Sequence, residues 1–316
     1  MLAAVRGRAL AATLALALAA CGSAGQGDVG GDGGAQAHAD PAFVAGNEAW
    51  RAERRAKLLQ PNGWTSLIGL HWIELPAHYV GSGATNGIRL AKGPEKLGLL
   101  QQQGGRLWLT PEPGVELSVD GAPLTTRMEL QPEGSATPTR VAFDQGKGQL
   151  SVIERGGRKA LRARHAEAAT LTGLGPLAYW PADPGWRLQA RFTAHPPGRT
   201  IPIMDITSQQ AAKPNPGVVE FEHAGQTYRL EALEGEDGGL FLVFADRTSG
   251  HESYGAGRYL DTGAPAADGT VTVDFNRAYN PPCVFTDFAT CPLPPPENRL
   301  DLAVTAGEKR YARPAG

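Results

Sequence analysis

From Trp64 onward the chain is broken into short runs of β-branched and aromatic residues divided by turn residues, and the helical period is largely absent. The runs fall at 65–74, 106–110, 115–119, 150–154 and 159–164, and again at 186–193, 200–207, 218–222, 227–233, 240–245, 270–275 and 300–305. Asp120-Gly121, Arg155-Gly156-Gly157 and His223-Ala224-Gly225-Gln226 stand between runs as hairpin turns. With 41 glycines and 25 prolines the chain has material for many turns and few long helices. Strands so closely spaced, with no helices between them, do not fit a doubly wound parallel sheet, whose crossovers need a dozen or more residues each. The expected fold is mostly β, an antiparallel β-sandwich or barrel-like body.

One helix precedes it. Asp40 suits a cap, Pro41 suits the first helical position, and Ala45, Ala49, Ala52, Ala56 and Leu59 share one face. Glu48, Arg51, Glu53, Arg54 and Arg55 take the other faces and read as a solvated surface. Gln60-Pro61-Asn62-Gly63 ends the helix.

The first twenty residues carry Arg6 and Arg8 and then an apolar run, 9–20, too short to span a bilayer as a permanent helix. They read as a secretory signal. Leu18-Ala19-Ala20-Cys21 resembles the lipobox of bacterial lipoproteins, which implies lipidation at Cys21. Several acyl chains anchor firmly, since each buried methylene contributes about 0.8 kcal/mol. With Gly22 after the cysteine, a Gram-negative host is expected to place the protein in the outer membrane, facing the periplasm. The expected organisation is a signal peptide over 1–20 and a flexible Gly/Ala-rich tether over 21–40. A helix and a β-rich half occupy 41–165, and a second β-rich half, packed with the first, occupies 166–316. A formal net charge of −2 offers no basic surface for a phosphate backbone, so nucleic acid is not an expected partner.

The stretches VFADRTSGHESYGAGRYLDT and VDFNRAYNPPCVFTDFATCPLPPPENRL, followed by AGEKRY, resemble the bacterial family known as domain of unknown function 1684. WTSLIGLHWIE, VIERGGRKALRAR and LGPLAYWPADPGWRLQARF agree with it, so the resemblance runs roughly over 50–311. The family name carries no activity. Residues 81–155 also have a cadence similar to forkhead-associated sandwiches. Catalytic templates do not fit. The glycines of 81–87 have the wrong spacing for a dinucleotide fingerprint, and His251 stands where a nucleophile elbow needs glycine before Ser253. His251-Glu252 lacks the second histidine of a zinc helix, so no metal or other cofactor is expected.

What remains is a proline-rich segment, 274–300, holding Cys283 and Cys291. In an exported protein two such thiols read as a disulfide before a metal pair, and the bridge would contribute on the order of 2.5 kcal/mol in the chain-entropy model. Its polar residues have two readings. They satisfy loop backbone that no sheet can reach, or Tyr254, Arg258, Asn276, Arg277, Asn280, Glu297 and Asn298 bind a small anionic or polyhydroxylated ligand. The second needs the strand at 270–275 to break near Asn276, so that Asn276 and Arg277 both turn toward Arg258. The leading expectation is thus a lipid-anchored envelope protein that binds a small molecule or supports the envelope. The alternative is a hydrolase using a carboxylate with His71 or His251. The anchor is testable directly: Cys21→Ser is expected to abolish acylation and leave the protein uncleaved or soluble, and unchanged mass and membrane fractionation in that variant would overturn it.

Overall fold

The computed structural model describes residues 40–313. Cys21, the signal and nearly all of the tether lie outside the described residues. The helix α1 (Pro41–Leu58) begins as its sequence dictates: Pro41 sits at the first helical position and the Asp40 side chain accepts from the Ala42 amide at 3.1 Å. Eleven strands follow: β1 (Leu67–Trp72), β2 (Ala77–Gly81), β3 (Ile88–Arg89), β4 (Gly98–Gln103), β5 (Arg106–Pro111), β6 (Ser118–Val119), β7 (Ala122–Pro123), β8 (Met128–Leu130), β9 (Val141–Phe143), β10 (Gly148–Arg155) and β11 (Arg158–His165). A second series comprises β12 (Arg187–Ala194), β13 (Thr200–Met204), β14 (Gln210–Pro214), β15 (Gly217–His223), β16 (Gln226–Glu234), β17 (Leu240–Phe244), β18 (Arg258–Asp261) and β19 (Thr270–Asp274).

The first series makes two facing sheets, ordered β1-β11-β10-β9-β6-β7 and β3-β2-β4-β5-β8. Alternation along the strands turns Leu100, Leu107, Leu109, Leu150, Val152 and Leu161 into one buried core between them. The second series makes one six-stranded sheet, β18-β17-β16-β15-β12-β19, with β13 and β14 as a separate ribbon. Trp186, Phe221, Phe244 and Phe275 pack against one face of it, and Val243, Tyr259, Cys283 and Cys291 fall in a separate cluster with Ile201 and Ile203 of the ribbon. The chain is therefore mostly β, and its named strands pair antiparallel except for β2 with β3. The expected turns form: Asp120 and Gly121, and Ala224 and Gly225, take positive φ between paired strands.

Two expectations are corrected. The alanine face of α1 points to solvent, and Leu59 is 43% exposed. The helix docks instead through the stripe Asn47, Arg51, Arg54 and Leu58, because the loops beneath it present carbonyls and aromatic rings that suit guanidinium groups, with Leu58 seated among Leu174, Val284 and Phe285. Arg51 donates to Trp180 O at 2.8 Å, Arg54 to Asn280 O at 2.9 Å, and Arg55 to Gly175 O at 2.8 Å. The run 300–305 is not a strand. Its first residues pair briefly with the chain after β17, Leu300 N donating to Ala245 O at 2.8 Å and Leu302 O accepting from Arg247 N at 2.9 Å. Beyond them Arg258 takes the carbonyls, its guanidinium donating to Val304 O at 2.8 Å and also bonding Ala306 O.

Arg258 is fully buried, and so is its partner: Nη2 lies 2.7 Å from Asp246 Oδ2. Trp180 and Phe244 flank the guanidinium at 5.0 and 5.3 Å. A buried carboxylate deprived of its cation is costly. Arg258→Met is expected to lower unfolding free energy by about 3–5 kcal/mol, read by urea denaturation. Arg258→Met with Asp246→Leu should recover part of that loss, but not the part owed to the abandoned carbonyls.

Candidate functional site

Between α1, the turn after it, the β10–β11 hairpin and the β16–β18 edge of the second sheet lies a cleft of about 1170 Å³. Its walls carry four cations, Arg54, Lys57, Arg155 and Arg277, and four carboxylates, Glu53, Glu234, Glu236 and Asp261. Trp50, Trp64, Tyr259 and Tyr279 supply ring surface. Arg54 is held rigidly: Nε donates to the buried Glu308 at 3.0 Å, and the guanidinium lies 4.6 Å from the Tyr279 ring centroid. Lys57 and Glu53 pair along the helix at 2.9 Å, fully in solvent. The Tyr279 hydroxyl donates to Asp261 Oδ2 at 2.8 Å. Burial pushes the Asp261 carboxyl above the usual range, with Glu236 adding to the effect and the tyrosine hydrogen bond opposing it. Burial, then the Asp261 charge, pushes the Tyr279 phenol upward in turn. Beside the cleft, and sharing Arg155, Glu234, Phe241, Thr290 and Pro292 with it, is a smaller recess of about 330 Å³ that reaches Ile203 and Leu233.

Of the seven residues singled out from sequence, Arg277 alone lines this cleft. The strand does break at Asn276: β19 ends at Asp274, whose carboxylate accepts from the Asn276 amide at 3.1 Å and opens a single 3-10 turn. That break sends the two side chains apart. Asn276 is buried and exchanges hydrogen bonds of 2.9 and 2.8 Å with the Asp183 backbone, while Arg277 is 47% exposed, 3.8 Å from Asp274. Asn280 bonds Lys309 O at 2.8 Å, and Asn298 bonds Glu231 N and O and Val243 O. Arg258 is committed to Asp246 and the carbonyls described above, and Glu297 is exposed away from the cleft. These amides and this guanidinium thus satisfy buried backbone, and the structure does not bring Arg258, Asn276 and Arg277 to one point.

Tyr254 is half-buried and lies against the cysteines. Cys283 and Cys291 are both buried and both free, without the bond expected between them. They are neighbours nonetheless: the Cys283 amide donates to Cys291 Sγ at 3.0 Å. Hydrogen bonding from Cys291, then from Tyr254, pulls the Cys283 thiol below its ordinary value against the effect of burial. The same contact, with burial, pushes Cys291 up. The two thiols thus titrate as a pair, the first proton leaving below the ordinary thiol range and the second above it.

Neither candidate histidine reaches the cleft. His71 sits on β1 with Nε2 buried and unpartnered, and burial lowers its affinity for a proton. His251 is exposed in the turn after Asp246. Among the described residues no group of three or more His, Cys, Asp and Glu is placed to hold a metal, and no helix is long and apolar enough to cross a membrane. The sequence reading missed Arg54, Lys57, Asp261 and Tyr279. The signal available was the recurrence of Asn47, Arg51, Arg54 and Leu58 at spacings of four, three and four, a polar stripe at helical period.

Comparison with known proteins agrees with the second half of the chain. The family described as Protein of unknown function (DUF1684) matches residues 173–309. An uncharacterised protein of Haloarcula marismortui, solved by solution NMR, is 34% identical, covers 43% of this chain and 77% of its own, and superposes with a TM-score of 0.36. The chain belongs to this family of unknown function. The N-terminal FHA domain of EssC, a component of the bacterial type VII secretion apparatus, matches at 13% identity over 31% of this chain and 46% of its own, with a TM-score of 0.25. No curated protein matches.

Proposed function

We propose that this is a lipid-anchored protein of a bacterial cell envelope, facing the periplasm, and that it binds a small anionic or polyhydroxylated ligand in the cleft beneath α1. The observation that carries the binding reading is the cleft's lining. Guanidinium, ammonium and carboxylate groups line it together with five aromatic rings, Phe241 included, which suits a molecule rich in hydroxyls and bearing a negative group. The rigid seating of Arg54 by Glu308 supports it, because a donor already fixed in place loses little entropy when a ligand arrives. A binding role is favoured over hydrolysis by a histidine, since the cleft's carboxylates have neither His71 nor His251 beside them.

The anchor would place the protein where thiols are oxidised, and there Cys283 and Cys291 would join. Each thiol gives up a proton and an electron to a periplasmic disulfide donor, which is reduced to its dithiol. Such a bridge would fix the loop that carries Thr290, Cys291 and Pro292 into the cleft wall.

Two measurements test these readings. In calorimetric titration, gluconate should bind more tightly than either glucose or acetate, and Arg277→Ala should weaken it by about tenfold, the loss of one charged hydrogen bond. Absence of saturable heat with gluconate and related sugar acids overturns the cleft as a site for this ligand class. Separately, non-reducing mass mapping of protein purified from the periplasm should find Cys283 and Cys291 in one cross-linked peptide, and alkylation of both thiols would refute the bridge.

A further inference from the structure

We propose that the first half of the chain holds a second, independent site, in which Arg164 and Arg140, on either side of a Glu133 already paired with the buried Arg162, receive a small dianionic oxyanion. The site is a pocket of about 510 Å³ lined by Asn62, Glu133, Gly134, Arg140, Gln149 and Arg164, together with Pro138, and it shares no lining residue with the cleft beneath α1.

The strand register puts its parts on one face. Gln149 pairs with Arg164 and Ser151 with Arg162 across β10 and β11, so these four side chains stand on the side of the sheet opposite Leu150, Leu161 and Ala163. Glu133 is pinned over them, its amide donating to Val152 O at 2.7 Å. Arg162 Nη1 approaches Glu133 Oε2 at 2.8 Å, and Arg164 Nη1 approaches Oε1 at 3.5 Å, where the Ser151 hydroxyl also donates at 2.7 Å. One carboxylate therefore answers two guanidinium groups. Arg140, the third, has no carboxylate partner among the described residues.

The shortage shows atom by atom. Arg162 is 1% exposed, yet its Nε and Nη2 have no hydrogen-bond partner in the protein, and the buried Nε of Arg164 has none. Burial pushes the Arg162 guanidinium down to about 10, with Glu133 opposing and Arg164 and Arg155 adding to the fall, so it still holds its proton at neutral pH. Glu133 is kept below the usual carboxylate range because Arg162, Ser151 and Arg164 outweigh the effect of its burial. With Arg162 answering Glu133 from beneath, the pocket wall is left with Arg164 and Arg140 and no further carboxylate among its lining residues. Buried charge in proteins is paired, and the forked donors of arginine match phosphate and paired carboxylates. Gln149 and Asn62 add uncharged amide donors at the rim. A dianion of the size of a phosphate group would match the charge of Arg164 and Arg140 and give the Arg164 Nε a partner.

Calorimetric titration with inorganic phosphate, against chloride at equal ionic strength and with malonate as a dicarboxylate arm, tests this. Saturable binding of phosphate, or of malonate, is expected where chloride gives none, and the stronger of the two identifies the oxyanion class. Arg140→Ala, an exposed change that leaves the fold alone, should weaken the binding by about tenfold. Glu133→Gln should tighten it, because the resident competitor is neutralised while Arg162 and Arg164 remain; a purely structural Glu133 would give no gain. Arg277→Ala in the cleft should leave phosphate binding unchanged, which separates this site from the other. If neither dianion binds, or if Arg140→Ala binds as the parent does, the site does not exist as described. If Glu133→Gln fails to fold, the Arg140→Ala comparison decides alone.

Discussion

The Glu308 carboxylate is wholly buried, and three separate pieces of chain reach it. Arg54 of α1 donates to Oε1 at 3.0 Å, the Tyr179 hydroxyl comes to the same oxygen at 3.3 Å, and the Asn280 amide donates to Oε2 at 2.7 Å. A buried charge is stable only while such partners stay in place, so the position of the helix, of the 178–180 loop and of the segment after β19 are one problem with one solution. The neighbouring residues extend it. The carbonyl of Glu308 is 3.4 Å from Arg258 Nη1, and that guanidinium collects the chain at 304 and 306 before closing on Asp246. Two buried ion pairs, Arg54–Glu308 and Arg258–Asp246, therefore hold an irregular C-terminal segment that makes no sheet of its own.

The same constraint accounts for the density of Asp, Asn and Arg in 274–300. A loop rich in proline cannot satisfy its own backbone through a ladder, since each proline lacks a donor and fixes φ. Asn276, Asn280 and Asn298 do so instead, each bridging backbone groups far apart in sequence: Asp183, Lys309, and Glu231 with Val243. Rigidity obtained this way has a consequence for the cleft. Tyr279 and Cys291 stand on the ordered loop and enter the cleft wall, so their orientation is fixed by amides that never touch the open space.

Arginine serves three different ends in this chain, and burial separates them. Fully buried and matched by a carboxylate, Arg258 is structural. Half-buried and bonded to loop carbonyls, Arg51, Arg54 and Arg55 dock a helix, and Arg54, also held by Glu308, leaves one edge toward the cleft. Buried and only partly matched, Arg162 already takes up Glu133, so that Arg164, with its Nε unpartnered, and Arg140 are left facing the pocket without a carboxylate of their own, and that imbalance is the basis for placing an oxyanion there.

The sequence by itself marked eleven of the nineteen strands, most turns and the start of the helix, because these depend on local chemistry; it passed over β2, β3, β4, β7, β8, β9, β14 and β18, which stood outside the β-branched and aromatic runs. β-Branched runs prefer extended backbone, Gly121 and Gly225 accept positive φ, and Asp40 with Pro41 begins a helix in any context. It also marked the break after Asp274. It did not decide which way the broken strand would aim its side chains, since Asn276 turned toward the Asp183 backbone and Arg277 toward solvent. It could not show that α1 would dock by its arginines with its alanines in water, or that the run at 300–305 would yield its Val304 carbonyl to Arg258. Each of these outcomes depends on a partner more than forty residues away, and polar satisfaction across such distances has no periodic trace along the chain. The cleft, and the meeting of Arg54, Asp261 and Tyr279 within it, exist only once those distant partners are together.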